Sequence, residues 1–155
     1  MITLKRSNSE DENFQKLVKQ LDADLAIRDG EDHAFYDQFN NIDIIKYALV
    51  AFDENNEAVG CGAIKQLEPQ AMEVKRMFVP LEQRGKGIAG NLLKELETWA
   101  AELGNRKCLL ETGIKQPEAI PLYKKSGYKF IDSYGQYVGV QNSVCFEKLL
   151  HKVTN

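Results

Sequence analysis

The spacing of hydrophobic and polar positions changes along the chain, and each change marks an element. Thr3 to Arg6 read as a short first strand. Ser9 stands three residues before Glu12, a capping-box spacing in which the hydroxyl accepts from an orphan N–H of the first helical turn. Phe14, Leu17, Val18, Leu21 and Leu25 then recur at three and four, which predicts an amphipathic helix broken by Asp29-Gly30. Residues 31–40 set Phe35 and Tyr36 in polar surroundings, the pattern of a short helix or lid. Lys46 to Phe52 and Ala58 to Leu67 read as strands joined by the turn Asp53-Glu54-Asn55-Asn56. Gly60 and Gly62 inside the second of these predict a bulge or a close backbone approach.

Met72 to Val79 form a further predicted strand, stopped by Pro80. Ile88, Leu92, Leu93, Leu96, Trp99, Ala100 and Leu103 trace one face of a long helix, which Gly104-Asn105 ends. Arg106 to Thr112 read as a strand and Pro117 to Ser126 as a short helix, with Pro121 expected to loosen or delay its first turn. Tyr128 to Ile131 and Val144 to Leu149 close the pattern as a final hairpin. No repeat, low-complexity tract or linker divides the chain, so residues 1–155 are expected to form a single α/β domain.

Composition narrows the function classes. Hydrophobic residues make up 43% and charged residues 28%, the balance of a chain that folds around a core. There is no apolar run of the ~18 residues a membrane span needs, and no secretion signal is visible, so the expectation is a cytoplasmic protein without a membrane partner. A net charge of -3 lacks the basic footprint of general nucleic-acid binding. Cys61, Cys108 and Cys145 are far apart and odd in number, and His33 and His151 are the only histidines. Neither a disulfide framework nor a zinc site is expected, and the cysteines read as small core residues. Charge is nonetheless uneven: residues 10–32 hold eight acids, whereas residues 73–86 hold four bases against Glu73 and Glu82. An acidic flank for a cationic amine beside a basic one for an anionic cofactor fits this, as does a solvated helix face.

The segment Val79 to Gly90 carries the most chemistry. It joins a strand to the head of an amphipathic helix, where N–H groups lack intrahelical partners and the helix dipole favours an anion. Gly85 and Gly87 admit phosphate oxygens close to the backbone, and Arg84 and Lys86 add charge. Three phosphate motifs overlap here. Gly85-x-Gly87-x-x-Gly90, with Glu111 downstream, satisfies the dinucleotide fingerprint. Pro80 to Arg84 nevertheless separate those glycines from the strand, and only 44 residues follow Glu111, too few for the remaining parallel strands. A nucleotide-triphosphate loop fails because Asn91, not lysine, follows Gly90.

The third motif fits best. Arg84-x-x-Gly87-x-Ala89 matches [Q/R]-x-x-G-x-[G/A], and Ala119-x-x-Leu122-Tyr123-x-x-x-Gly127-Tyr128 matches A-x-x-L-Y-x-x-x-G-[F/Y]. In these motifs, their order and their separation, the chain resembles the GNAT superfamily of acetyl-CoA-dependent N-acetyltransferases, most firmly from Met72 to Ile131. The resemblance implies an α/β (α+β) fold: a mixed, mostly antiparallel sheet of six to seven strands with helices on both faces and splayed central strands.

By the same resemblance, acetyl-CoA is the co-substrate, no metal is needed, and Met77, Phe78 and Val79 bond the pantetheine arm through their backbones. Amides from Arg84, Gly85, Lys86, Gly87, Ile88 and Ala89 cradle the diphosphate, with the Lys86 side chain either on phosphate or in solvent. Gln116 stands where many relatives have asparagine, which puts that side-chain contact to the cofactor in question. Tyr123 is the expected acid toward the leaving thiolate. Glu73 is the expected base, its alternative being an ion pair with Lys75. Glu111 is a second base or a holder of the substrate ammonium. Phe35, Tyr36, Tyr134 and Tyr137 are candidates to wall the acceptor site. The implied reaction is direct transfer to a primary amine of a small molecule or amino acid. A protein lysine or N-terminus as acceptor, or a non-catalytic acyl-CoA binding module, is the alternative. A monomer or homodimer is expected.

Overall fold

The computed structural model describes residues 1–29, 45–114, 116 and 118–151. Within them, the alternating segments become strands β1 (Thr3–Ser7), β2 (Tyr47–Phe52), β3 (Ala58–Glu68), β4 (Ala71–Phe78), β5 (Lys107–Gly113), β6 (Lys129–Ile131) and β7 (Ser143–Leu149). The segments with helical period become α1 (Glu12–Asp29), α2 (Ile88–Glu102) and α3 (Ala119–Lys125). All seven strands share one sheet in the order β1-β2-β3-β4-β5-β7-β6. Every neighbouring pair is antiparallel except β4 with β5, the parallel pair that α2 connects. β7 inserts between β5 and β6, so the last strand in sequence is not the last in space.

Each sheet face buries a different helical stripe. Phe14, Leu17, Val18 and Leu21 of α1 pack with Ala48, Val50, Cys61, Ala63 and Phe78 on one side. On the other, Leu92, Leu93 and Leu96 of α2 meet Leu49, Val59, Ile64, Met72 and Leu110, with α3 alongside. Leu92, Leu93 and Leu96 are fully buried, each burial contributing about 1.5–3 kcal/mol.

Gly60 and Gly62 both answer to the expected close approach, and Gly62 also stands at a register shift in the β3–β4 pairing. A Cβ on Gly60 would lie 3.0 Å from Ile88 Cγ2, and one on Gly62 would lie 2.8 Å from Leu96 Cδ1, so their absence lets α2 sit down on β3. The register of β3 against β2 shifts one residue earlier, between Gly60 and Ala58.

The β4–β5 pair positions the site. Pairing runs only from Ala71 opposite Lys107 to Glu73 opposite Leu109, although both strands continue for several residues. The cause lies on the far side of β4. Cys61 pairs with Phe78 and Ala63 with Lys75, so Gly62 alone faces both Arg76 and Met77, a β-bulge with Arg76 left-handed at φ +57°. The extra residue bends β4 away from β5 and opens a wedge between Val74–Phe78 and Leu110–Gly113.

Two local expectations are corrected. The cap of α1 is Asp11 rather than Ser9: Asp11 Oδ1 accepts from the Phe14 N–H at 2.9 Å, and Ser7 Oγ steadies its other oxygen at 3.0 Å. Ser9 instead donates its N–H to the Ile45 carbonyl at 2.9 Å. Of the two effects expected of Pro121, the structure shows the later start and not a loosened helix. The helix starts at Ala119, which puts Pro121 in the first turn, where an N–H has no intrahelical acceptor to lose.

Candidate active site

Gly87 caps α2 in a left-handed conformation, φ +80°, and no carboxylate stands in the first helical turn to compete for its amides. The Asn91 N–H is the first to bond within the helix, to the Gly87 carbonyl at 3.1 Å. Amides before it therefore remain available to an external anion. Gly85, at φ +83°, and Gly87 each leave open space where a Cβ would stand, so ligand oxygens can approach the backbone directly. Arg84 braces this loop. Its Nε donates to the Val79 carbonyl at 2.8 Å, and its guanidinium lies 4.0 Å from Asp24 of α1. Lys86 is exposed and donates to Gln83 Oε1 at 2.9 Å, turned along the loop rather than into the cleft.

From this cradle a cleft of about 310 Å³ runs along the wedge. Met77, Phe78 and Val79 form one wall, and Arg84, Gly85, Gly87, Ile88 and Ala89 its head. Gln116 and Tyr123 form the opposite wall. The Tyr128 N–H reaches the Tyr123 carbonyl at 2.9 Å and the Gly127 N–H the Lys124 carbonyl at 3.1 Å, the Schellman closure of α3. This closure needs the left-handed Gly127, φ +96°, and brings Tyr128 edge-on to Tyr123 at 6.0 Å between ring centroids. Phe146 packs from a third side at 5.8 Å. Burial, and then the nearby Glu111 charge, hold the Tyr123 phenol above its usual pKa, so it is a proton donor at neutral pH.

A second cavity of about 90 Å³ lies beyond Tyr123, and Leu21, Met77, Gln116 and Tyr123 line both. Its walls include Glu73, Lys75, Arg76, Glu111 and Tyr137. Glu73 is buried; its Oε2 accepts from the Tyr134 hydroxyl at 2.6 Å and its Oε1 lies 3.5 Å from Lys75 Nζ. The ion pair weighed as the alternative to a base role is thus present in the geometry. Glu111 accepts from Ser143 Oγ across the β5–β7 pairing. Tyr137 packs edge-on to Tyr134 at 5.5 Å.

Site candidates from Met77 to Ala89, apart from Lys86, therefore converge with Gln116 and Tyr123 on one cleft, while Glu73, Glu111 and Tyr137 line the adjoining pocket. Phe35 and Tyr36 fall outside the described residues. Arg76 was missed as a site residue, because only the bulge brings it to the pocket. Cys61 and Cys108 are buried, and burial pushes both thiols up to about 12, which leaves them protonated and poor nucleophiles. Among the described residues no cluster of His, Cys, Asp and Glu is placed to hold a metal, and no helix is long and apolar enough to cross a membrane.

Comparison with known proteins bears on this geometry. The profile of the Acetyltransferase (GNAT) family matches residues 14–128. An IAA acetyltransferase of Azospirillum brasilense is 42% identical over 93 residues, 59% of this chain and 61% of its own. An acetyltransferase of Agrobacterium fabrum is 28% identical over 131 residues, 84% of this chain and 93% of its own. The chain spans about half to two-thirds of several curated relatives, 61% of the Azospirillum protein and 53% of an uncharacterized N-acetyltransferase of Schizosaccharomyces pombe. A candidate acyl-CoA N-acyltransferase of Klebsiella pneumoniae superposes with a TM-score of 0.82 at 30% identity, over 97% of this chain and 99% of its own. A GNAT family acetyltransferase of Elizabethkingia anophelis with acetyl-CoA bound shares the fold at a TM-score of 0.67 and 19% identity, over 96% and 98% of the two chains.

Proposed function

The chain belongs to the acetyltransferase (GNAT) family, and we propose that it moves the acetyl group of acetyl-CoA directly onto a primary amine of a small molecule or amino acid. The observation that carries this is the meeting of two cavities at Tyr123, one headed by the amide cradle of α2 and the other walled by Glu73 and Glu111. A thioester threaded along the wedge presents its carbonyl where those cavities join. The open space at Gly85 and Gly87 suits a diphosphate, and the unpaired edges of β4 and β5 suit the amides of a pantetheine arm.

The chemistry then follows from proton positions. An alkyl ammonium of ordinary pKa, ~10.4, must first lose a proton, which Glu73 takes directly or through water. The neutral nitrogen bonds to the thioester carbon as the carbon–sulfur bond breaks, and sulfur takes the Tyr123 proton. The second proton released by nitrogen returns the phenolate to phenol through solvent, so the products are an acetamide and a free thiol. Protonated Cys61 and Cys108 have no part in this route, which favours direct transfer over a covalent acetyl-enzyme. A cytoplasmic monomer or homodimer, independent of nucleic acid and membrane, belongs to the same proposal.

The test is release of free thiol from acetyl-CoA across a panel of small amines, amino acids and peptides. Amine-dependent turnover of the small acceptors supports the proposal. Turnover confined to peptides or proteins contradicts the small acceptor, and binding without turnover of any amine marks a non-catalytic module.

A further inference from the structure

The proposed acceptor pocket holds a buried arginine and a half-buried lysine as well as two carboxylates. In a regular strand Lys75 and Arg76 would point to opposite faces. The β4 bulge turns both to the α1 side, where each lines the pocket that Glu73 and Glu111 also line. The arrangement is costly. A left-handed arginine is disfavoured against an extended one by about 1–2 kcal/mol. Its side chain is only 4% exposed, NH1 donates to Asp22 at 2.8 Å, and Nε has no partner among the described residues. Lys75, 12% exposed, lies within 3.5 Å of Glu73. Both cations lie on one wall of the pocket, Arg76 beside Asp22 and Lys75 beside Glu73, where a substrate carboxylate can share them.

We propose that Arg76, with Lys75, recognises a carboxylate on the acceptor, so that the substrate is an amino-carboxylate of the α-amino-acid class. The inference rests on the acetyl-transfer reading and narrows its acceptor. The ammonium faces Glu73 and Glu111 toward Tyr123, and the carboxylate pairs with the guanidinium beside Asp22 and with Lys75. At about 10–15 Å³ for each water-sized group, the 90 Å³ pocket admits a small acceptor. Glu73, Lys75 and Tyr137 also line an adjoining cavity of about 160 Å³, which gives the substrate side chain a way out. Arg76 is thereby a specificity-determining residue.

The experiment measures kcat/KM, with acetyl-CoA, for a panel of L-α-amino acids and their primary amides. The wild-type protein is expected to prefer the free acid roughly ten- to hundredfold, the worth of a charged hydrogen-bonded pair. Arg76→Gln is expected to bring that ratio near one, mainly through a rise in KM for the acids, and Arg76→Lys to restore part of it. Lys75→Gln, which keeps the contact between Arg76 and Asp22, is expected to lower the same ratio. Equal wild-type use of acids and amides overturns the inference while acetyl transfer stands. An equal loss on both in Arg76→Gln also overturns it, showing that the arginine only clamps α1 to β4. If neither series is acetylated, the acetyl-transfer reading falls and this inference with it.

Discussion

Tyr134 donates its hydroxyl to Glu73 Oε2 at 2.6 Å, tying the connection between β6 and β7 to the splayed strand β4. Burial and the adjacent Glu73 charge raise the Tyr134 pKa, so the donor stays protonated throughout the neutral range. One oxygen of Glu73 is therefore anchored while the other faces Lys75. Tyr134→Phe frees the carboxylate to rotate. It is expected to lower kcat/KM for the amine about tenfold, leave the KM for acetyl-CoA unchanged and reduce stability by about 1–3 kcal/mol. Steady-state kinetics and thermal unfolding measure both; an equal rise in the two KM values contradicts the assignment.

In the proposed route Tyr123 is the acid, so the protonated phenol is the competent form. Because its pKa is raised above the ordinary 10.0, activity that depends on this proton persists up to pH 10 and declines only beyond it. Tyr123→Phe is expected to lower kcat by roughly 10²–10⁴ with little change in acetyl-CoA affinity. An alkaline fall in wild-type kcat centred below pH 10, and absent from the variant, argues against this.

Gly87 holds a left-handed cap with open space at its Cα. Gly87→Ala adds a methyl there and strains the backbone, a cost of about 1–2 kcal/mol in stability. The methyl also meets the ligand's path, so the KM for acetyl-CoA is expected to rise about tenfold with kcat nearly unchanged. A loss of kcat at unaltered KM contradicts the cradle.

The raised thiol pKa values of Cys61 and Cys108 yield a chemical prediction. Deprotonation of either begins in earnest only toward pH 12, so neither is a thiolate at neutral pH. Mass spectrometry after incubation with acetyl-CoA alone is expected to find both cysteines unacetylated. Stoichiometric acetylation of either supports a two-step route instead.

The open loop at the head of α2 was legible because glycines free the backbone there, and the apolar period that follows announces a helix. Tyr123 was legible only through the resemblance of Ala119 to Tyr128 to a family motif; in the structure Gly127 of that motif supplies the left-handed closure that seats Tyr128 against it. Arg76 was not, because nothing in Glu73-Val74-Lys75-Arg76-Met77-Phe78 marks a bulge; it shows only in the register of β4 against β3. The cap of α1 misled for a similar reason. Ser9 and Asp11 are both competent acceptors, and the choice falls to Asp11 once the Ile45 carbonyl, distant in sequence, takes the Ser9 N–H. The partner of Glu73 lies 61 residues away, and only the assembled sheet brings Tyr134 to it.

Titration calorimetry with acetyl-CoA, and in parallel with a nicotinamide dinucleotide, bears most directly on whether the head of α2 grips a diphosphate while the wedge takes a pantetheine arm. The expected result is saturable one-to-one heat with acetyl-CoA, weakened in Gly87→Ala, and none with the dinucleotide. Saturable binding of the dinucleotide, with no heat from acetyl-CoA, would contradict it.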